Sequence, residues 1–222
     1  SARAQSLHVD STRFITGNKC CTDINATITT KDNGILFVGS SAHIPGGIVP
    51  DFLLDTVLTN VMVGKMDSVK QITWVKVFGG SDYDNGVAAC QTYDGGFAVL
   101  AETASNNGDI SGFKGGVDIW LLRLDAAGNL LWQKCYGSDQ SDGGISIANT
   151  TDSGFIIMGG TNGSNGDVPF HYGDFFSMDW LLIKTDKNGI VQWSKDLGGT
   201  GDEASIGSVL SVGSNYYIVS GT

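Results

Sequence analysis

Short apolar runs separated by glycine, asparagine and aspartate dominate this chain. No apolar stripe at helical spacing is long enough to indicate a helix. The runs are instead rich in β-branched and aromatic residues, which is typical of β-strands. The clearest four are "GVAACQT", "FAVLAET", "DIWLLRL" and "LLWQKCY", at 86–92, 97–103, 118–124 and 130–136. The pattern predicts an all-β protein.

Tight turns connect these runs. "DGG" (94–96) and "DSG" (152–154) join a first strand to a second, and "DAAGN" (125–129) and "DKNGI" (186–190) join a third to a fourth. Glycine tolerates positive φ, so we expect antiparallel hairpins with glycine at that position. Four antiparallel strands in sequence are typical of one β-propeller blade.

The same unit recurs along the chain with a period of roughly 60 residues. An aspartate precedes a tryptophan by seven positions three times, and "KDNGILFVGS", "YDGGFAVLAE", "TDSGFIIMGG" and a degenerate "VGSNYYIVSG" align in the same phase. Two further series correspond: Asn60, Asp118, Asp179, and Lys65, Arg123, Lys184. We therefore expect about three and a half repeats, at 24–79, 80–137, 138–198 and, as a partial unit, 199–222.

A propeller needs about four to eight blades, so the count raises the question of closure. We favour a fragment of a longer protein. Alternatively, the N-terminal segment 5–23 supplies a closing strand, or other chains complete the ring. Residues 1–4 are interpreted as a signal-peptide remnant, because Ala2-Arg3-Ala4 has the small-x-small form of a cleavage site.

Charge and composition narrow the partners. The 222 residues carry a formal net charge of −10, which argues against nucleic acid because phosphate contacts need a basic face. No apolar run approaches the roughly 18 residues of a membrane helix, so we expect no membrane insertion. The four cysteines allow three full pairings, and the adjacent Cys20 and Cys21 are expected to bond outward, to Cys90 and Cys135, rather than to each other. No C-x-x-C motif or Cys/His cluster indicates zinc.

The recurring aspartates and tryptophans suit architecture better than catalysis, because residues copied in every unit serve something that every unit needs. The aspartates fit turn positions, where a carboxylate bonds nearby backbone amides: Asp67, Asp125, Asp186. The tryptophans fit large anchors wedged between blades: Trp74, Trp132, Trp193. We assign no catalytic residue and no organic cofactor.

A second series of acids follows the glycine turns, and two more end "SNNGD" and "SNGD". Calcium prefers carboxylate and carbonyl oxygens, so these acids are the candidate calcium ligands, with loop capping as the alternative. They are Asp84, Asp142, Glu203, Asp109 and Asp167.

The connections between the second and third strands vary most between units, at 40–59, 104–117 and 161–178. Repeat proteins often place such insertions on the binding face. The third connection is rich in aromatic residues, which either stack on sugar rings or pack on their own blade. The candidate ligand residues are Phe170, His171, Tyr172, Phe175 and Phe176.

The units resemble those of secreted propeller-repeat proteins of Bacteroidota, whose repeats read "W-x-K-x-[FYL]-G-G-S … D-G-G-[FY] … G-D … D-x-W-[LV]-x-K-x-D-x-x-G". The likeness covers about residues 24–222 and departs at Val69-Lys70, which replace the usual glycine turn. It implies export, often by the type IX route, to the medium or the cell surface.

The expected function is therefore a non-enzymatic extracellular module for interaction, adhesion or assembly. Its partners would be other proteins, surface glycans or further copies of itself. The alternatives are a glycan-active enzyme with a site on the variable-loop face, and a calcium-stabilised adhesion propeller.

Overall fold

The computed structural model describes residues 22–42, 58–172, 177–201, 203, 206–213 and 217–221. These residues form strands and no helix, as the sequence predicts, and so none of them belongs to a helix that could cross a membrane. The strands are β1 Thr22–Thr29, β2 Ile35–Ala42, β3 Thr59–Met66, β4 Ile72–Phe78, β5 Asp84–Gln91, β6 Phe97–Thr103, β7 Asp118–Leu124, β8 Leu130–Tyr136, β9 Asp142–Asn149, β10 Phe155–Thr161, β11 Asp179–Thr185, β12 Val191–Leu197, β13 Gly207–Ser211 and β14 Tyr217–Gly221.

The strands form three four-stranded antiparallel sheets and one two-stranded pair. We call β1–β4, β5–β8 and β9–β12 the first, second and third sheets, and β13–β14 the terminal pair. Within each sheet the strands lie side by side in chain order, as the hairpin pattern predicts. This order is compatible with propeller blades, although no closed arrangement is seen among the described residues. The segment 5–23 is the proposed closing strand. Its residues 5–21 lie outside the described residues, and its last two residues belong to β1.

The strands of each sheet begin and end at two opposite borders of the sheet, which we call its two edges, and these differ in what they carry. The first and third strands of a sheet run parallel to each other, so they begin at the same edge. We call it the connection edge, because it carries the long connections (104–117 and 162–178) and the links between sheets (79–83 and 137–141). The opposite turn edge carries the tight turns 30–34, 67–71, 92–96, 125–129, 150–154 and 186–190.

The turns between first and second strands correct one prediction. Positive φ falls on the middle residue of each triplet, which is Asn33 (59°), Gly95 (89°) and Ser153 (66°). The expectation that glycine supplies this conformation in "DSG" is therefore wrong. Gly154 is needed for another reason, because a Cβ there would collide with the carbonyl oxygen of Thr185.

The turns between third and fourth strands depend on the recurring aspartates. Asp125 Oδ1 accepts hydrogen bonds from the amides of Ala127 (2.9 Å) and Asn129 (2.8 Å), and Asp67 and Asp186 accept the corresponding pairs. The next-to-last turn position has positive φ in all three units. It is Gly128 (79°) and Gly189 (74°) in two units, but Lys70 (66°) in the first.

The hydrophobic core lies between successive sheets. In β10, Phe155 and Ile157 face the second sheet, whereas Ile156 and Met158 face the terminal pair. The central strands are thus buried on both faces, which explains why their sequences are continuously apolar. Contacts between sheets join neighbours in chain order.

The recurring tryptophans lie where one sheet meets the next. Trp74 donates its indole N–H to the carbonyl of Ala126 at 3.3 Å. Trp132 packs on Phe155 with ring centroids 6.2 Å apart, and Trp193 packs on Tyr217 at 5.8 Å.

A buried cation on each third strand holds the preceding turn. Lys65 pairs with Asp32 (2.9 Å), Lys184 pairs with Asp152 (2.8 Å), and Arg123 pairs with Asp94. Burial raises the pKa of Asp152, but hydrogen bonds from Lys184 and Thr150 outweigh it and lower that pKa to about 2.

Candidate functional site

The acids predicted as calcium ligands lie on the connection edge, where protein groups already engage them. Asp84 Oδ2 accepts hydrogen bonds from the Gly80 amide (2.8 Å) and the Ser105 hydroxyl (3.0 Å), and its Oδ1 accepts one from Thr103. Burial raises the pKa of Asp84. The buried carboxylate thus organises the link between the first and second sheets.

The corresponding acids have similar partners. Asp142 accepts from the amide (2.6 Å) and hydroxyl (2.9 Å) of Ser138, and Glu203 accepts from the Gly199 amide (3.0 Å). Asp109 and Asp167 accept from the amides of Gly79 (3.1 Å) and Gly137 (3.2 Å), and Asp167 also pairs with Lys114 (3.1 Å). These contacts are those of the loop-capping alternative.

A second row of polar residues lies at the first or second position of the third strands: Asn60, Asp118 and Asp179. Asp118 Oδ2 accepts the Lys114 amide at 2.8 Å, and Asp179 Oδ2 accepts the Tyr172 amide at 2.6 Å. Burial raises the pKa of Asp118 to about 6, although hydrogen bonding and the charge of Lys114 act against it. The row therefore belongs to the shared architecture, as a buried polar end of each third strand.

Among the described residues, only the third sheet brings two further ligand-type side chains to the acid of this row. His171 and Asp196 converge on Asp179, and one ligand atom from each residue lies within 4.8 Å of the others. His171 Nδ1 lies 3.1 Å from Asp179 Oδ2. Asp196 lies on β12 opposite Leu181, a position taken by Cys135 in the second sheet and Val77 in the first.

The cluster is electrostatically unbalanced. Asp179 is fully buried, and neither its Oδ1 nor either carboxylate oxygen of Asp196 has a hydrogen-bond donor within the described residues. Burial and then the charge of Asp179 raise the pKa of Asp196, and the charge of Glu203 raises it further, whereas His171 acts in the opposite direction. Two adjacent carboxylates in this setting favour a bound proton or a bound cation.

An aromatic pair lies next to the cluster in sequence. Phe170 and Tyr172 are 55% and 45% exposed and pack edge to face with ring centroids 4.7 Å apart. Phe175 and Phe176 lie outside the described residues. We call His171, Asp179, Asp196, Phe170 and Tyr172 the third-sheet site.

Other candidate features lie elsewhere. A groove of about 420 Å³ between the turn edges of the second and third sheets is lined by residues that include Tyr93, Trp132 and Lys187. The thiols of Cys90 and Cys135 are free, and burial raises the pKa of each to about 12, which makes them poor nucleophiles. Cys20 and Cys21 lie outside the described residues.

Sequence reasoning found part of the third-sheet site. It selected Phe170, His171 and Tyr172 from their composition, and it placed Asp179 in a repeated series. It missed Asp196, whose signal is an acid at a position that is apolar or cysteine in the other units.

Together the fold and the site define an all-β repeat protein with a single copy-specific cluster on one edge of the described sheets. No protein-family model matches the chain, and none of the curated proteins is significantly similar to it.

Proposed function

We propose that this chain forms blades of an exported β-propeller of the Bacteroidota repeat type, and that it binds surface glycans without transforming them. The binding face is the connection edge of the third sheet. Side-by-side strand order, and the packing of each sheet on its neighbours in chain order, support the propeller architecture.

The division of labour among residues supports a binding role. Residues repeated in every unit make turns, sheet-to-sheet contacts and buried ion pairs. The longest differences between units lie in the connections on the connection edge. A fold whose repeated residues serve its architecture does not by itself indicate a function, so the function has to be argued from the residues of the third-sheet site.

The exposed aromatic pair is the observation that carries the proposal. Phe170 and Tyr172 leave about half of their surfaces in solvent, where a sugar ring can stack its C–H face on them. Burying such large apolar surfaces from water contributes much of the binding energy at recognition sites.

A glycan array probed with the full chain tests this proposal. We expect a defined set of glycans to bind, and the double variant F170A/Y172A to lose that binding. The matched control is Y93A, which removes an exposed tyrosine from the opposite, turn edge. Equal loss in both variants, or retention in F170A/Y172A, would contradict the proposal.

A glycan-active hydrolase is the second candidate, favoured by the adjacent carboxylates of Asp179 and Asp196. Retaining glycosidases place two carboxyl groups about 5 to 5.5 Å apart and raise the pKa of the acid, and Asp196 has a raised pKa. Product release from array-positive oligosaccharides, abolished by D196N, would favour this candidate over simple binding. Intact oligosaccharides after prolonged incubation would exclude it.

A further inference from the structure

We propose that His171, Asp179 and Asp196 form a binding site for a divalent transition-metal ion, with Zn²⁺ as the reference ion. The inference does not rest on the proposed function, because it concerns the ion alone. It starts from the convergence of three ligand-type side chains whose ligand atoms lie within 4.8 Å of one another.

The distances suit one shared ion. Two ligand atoms that are each about 2.1 Å from Zn²⁺ stand at most about 4.2 Å apart. A separation of 4.8 Å or less therefore needs only small side-chain adjustments to bring the three ligands around one ion. Three protein ligands also leave a position for water or for a group of a bound partner.

The donor set selects the class of metal. Calcium and magnesium favour sites made of oxygen ligands, whereas an imidazole nitrogen suits zinc and other transition metals. The third-sheet site combines one imidazole with two carboxylates. Asp196 also differs from the acids that the sequence suggested for calcium, because those accept hydrogen bonds from protein amides and hydroxyls, whereas Asp196 accepts none from the described residues.

The unmet hydrogen-bonding demand of the carboxylates is a second, independent observation. Asp179 is fully buried, and its Oδ1 has no donor among the described residues. Both oxygens of Asp196 are buried in the same way. Buried carboxylate oxygens without a donor are destabilising, and a cation placed between the two acids would compensate them.

The surroundings fix the ligands in position. The Tyr172 amide holds Asp179 Oδ2 at 2.6 Å, so that Oδ1 is the oxygen left for an ion. Asp196 is fixed by the pairing of β12 with β11. Partners that orient ligands in this way are a general feature of metal sites.

The second sheet provides an internal comparison. There the buried Asp118 lacks the other two ligands, because Cys135 takes the place of Asp196. Its neighbour is the ammonium group of Lys114, which pairs with Asp167 at 3.1 Å and bonds the Cys135 carbonyl at 2.8 Å. The basic group near the buried acid is thus an ammonium group in the second sheet, whereas in the third sheet it is the imidazole of His171, which can serve as a metal ligand.

Calorimetric titration of the EDTA-stripped, untagged full chain with ZnCl₂ tests the inference. The chain carries C20S and C21S, since adjacent thiols bind zinc by themselves. We expect one Zn²⁺ per chain and a higher thermal midpoint with zinc. D196N and H171Q should each weaken zinc binding about 100-fold or more. D118N, at the matching position of the second sheet, should leave the zinc affinity unchanged.

Several outcomes would overturn the inference. One is a zinc affinity in D196N and H171Q equal to that of the parent chain. Another is binding of CaCl₂ where ZnCl₂ produces no heat and no thermal shift. Circular dichroism of each variant verifies the fold, and D196N removes a like-charge contact, so it should remain folded. Glycan binding without zinc binding would overturn this inference and leave the proposed function supported.

Discussion

Replacing Asp118 with asparagine is predicted to stabilise the protein above neutral pH. Asp118 is 0% exposed, and burial is the main reason that its pKa rises from 3.8 to about 6. Asparagine keeps an oxygen for the Lys114 amide and already stands at the matching position of the first sheet as Asn60. The substitution therefore removes the buried charge while keeping the hydrogen bond.

The pKa shift sets the sign and the size of the effect. The native state binds a proton more readily than the unfolded chain between pH 3.8 and about 6, so this carboxyl contributes stability at low pH and loses it as pH rises through 6. A shift of about two units corresponds to about 3 kcal/mol as an upper value. We expect the free energy of unfolding of D118N, relative to that of the wild type, to increase by about 1 to 3 kcal/mol when the pH is raised from 4.5 to 7.5.

Urea unfolding of both proteins at pH 4.5 and 7.5, followed by tryptophan fluorescence, measures this difference. The matched control is D125N, which alters an exposed turn aspartate whose pKa is lowered by the Asn129 side chain and amide. Its difference from the wild type should stay flat over this range, because that carboxyl titrates below it. The reasoning would be refuted if the difference in free energy of unfolding between D118N and the wild type were equally independent of pH, or if the advantage of D118N decreased with rising pH.

Three further substitutions test the turns and the buried cations. K70G should stabilise the protein by about 0.5 to 1 kcal/mol in thermal denaturation, because Lys70 has φ 66°; an unchanged or lower stability would count against it. G189A should cost about 1 to 3 kcal/mol more than G95A: both glycines have positive φ, but only a Cβ at Gly189 meets the Trp132 ring, at 2.8 Å. D152N should lower the free energy of unfolding by about 1 kcal/mol at pH 7 after solvent screening. This loss should shrink as pH falls from 4 towards 2, because Asp152 becomes protonated in the wild type. A loss independent of pH would argue against the ion pair.

Much of the fold was predictable because its signals are local. The run "FAVLAET" coincides with β6, "DIWLLRL" with β7 and "LLWQKCY" with β8, since each is bounded by its own turn residues. The position of positive φ was not predictable within "DSG". Glycine would suit either of the last two positions of this triplet. The carbonyl oxygen of Thr185 lies so close to residue 154 that glycine is required there, and positive φ falls on Ser153.

The candidate site was only half predictable, because its members lie on separate elements, namely a connection, β11 and β12. His171 belongs to a variable connection that the repeat comparison singled out. Asp196 lies in "WSKDL", where an acid looks like an ordinary outward residue of an edge strand. Only the pairing of β12 with β11 brings it to Asp179, so the motif search for zinc, which relies on local spacing, found nothing.

Among the described residues, the main contacts between sheets join neighbours in chain order, and this has a consequence for cooperativity. Free energy in such an array is approximately a sum of unit terms and nearest-neighbour interface terms. A substitution in the first sheet therefore weakens that sheet and its interface with the second, while the third sheet keeps its own interfaces. The third-sheet site can thus acquire new side chains, or lose them, at an energetic cost confined to two interfaces.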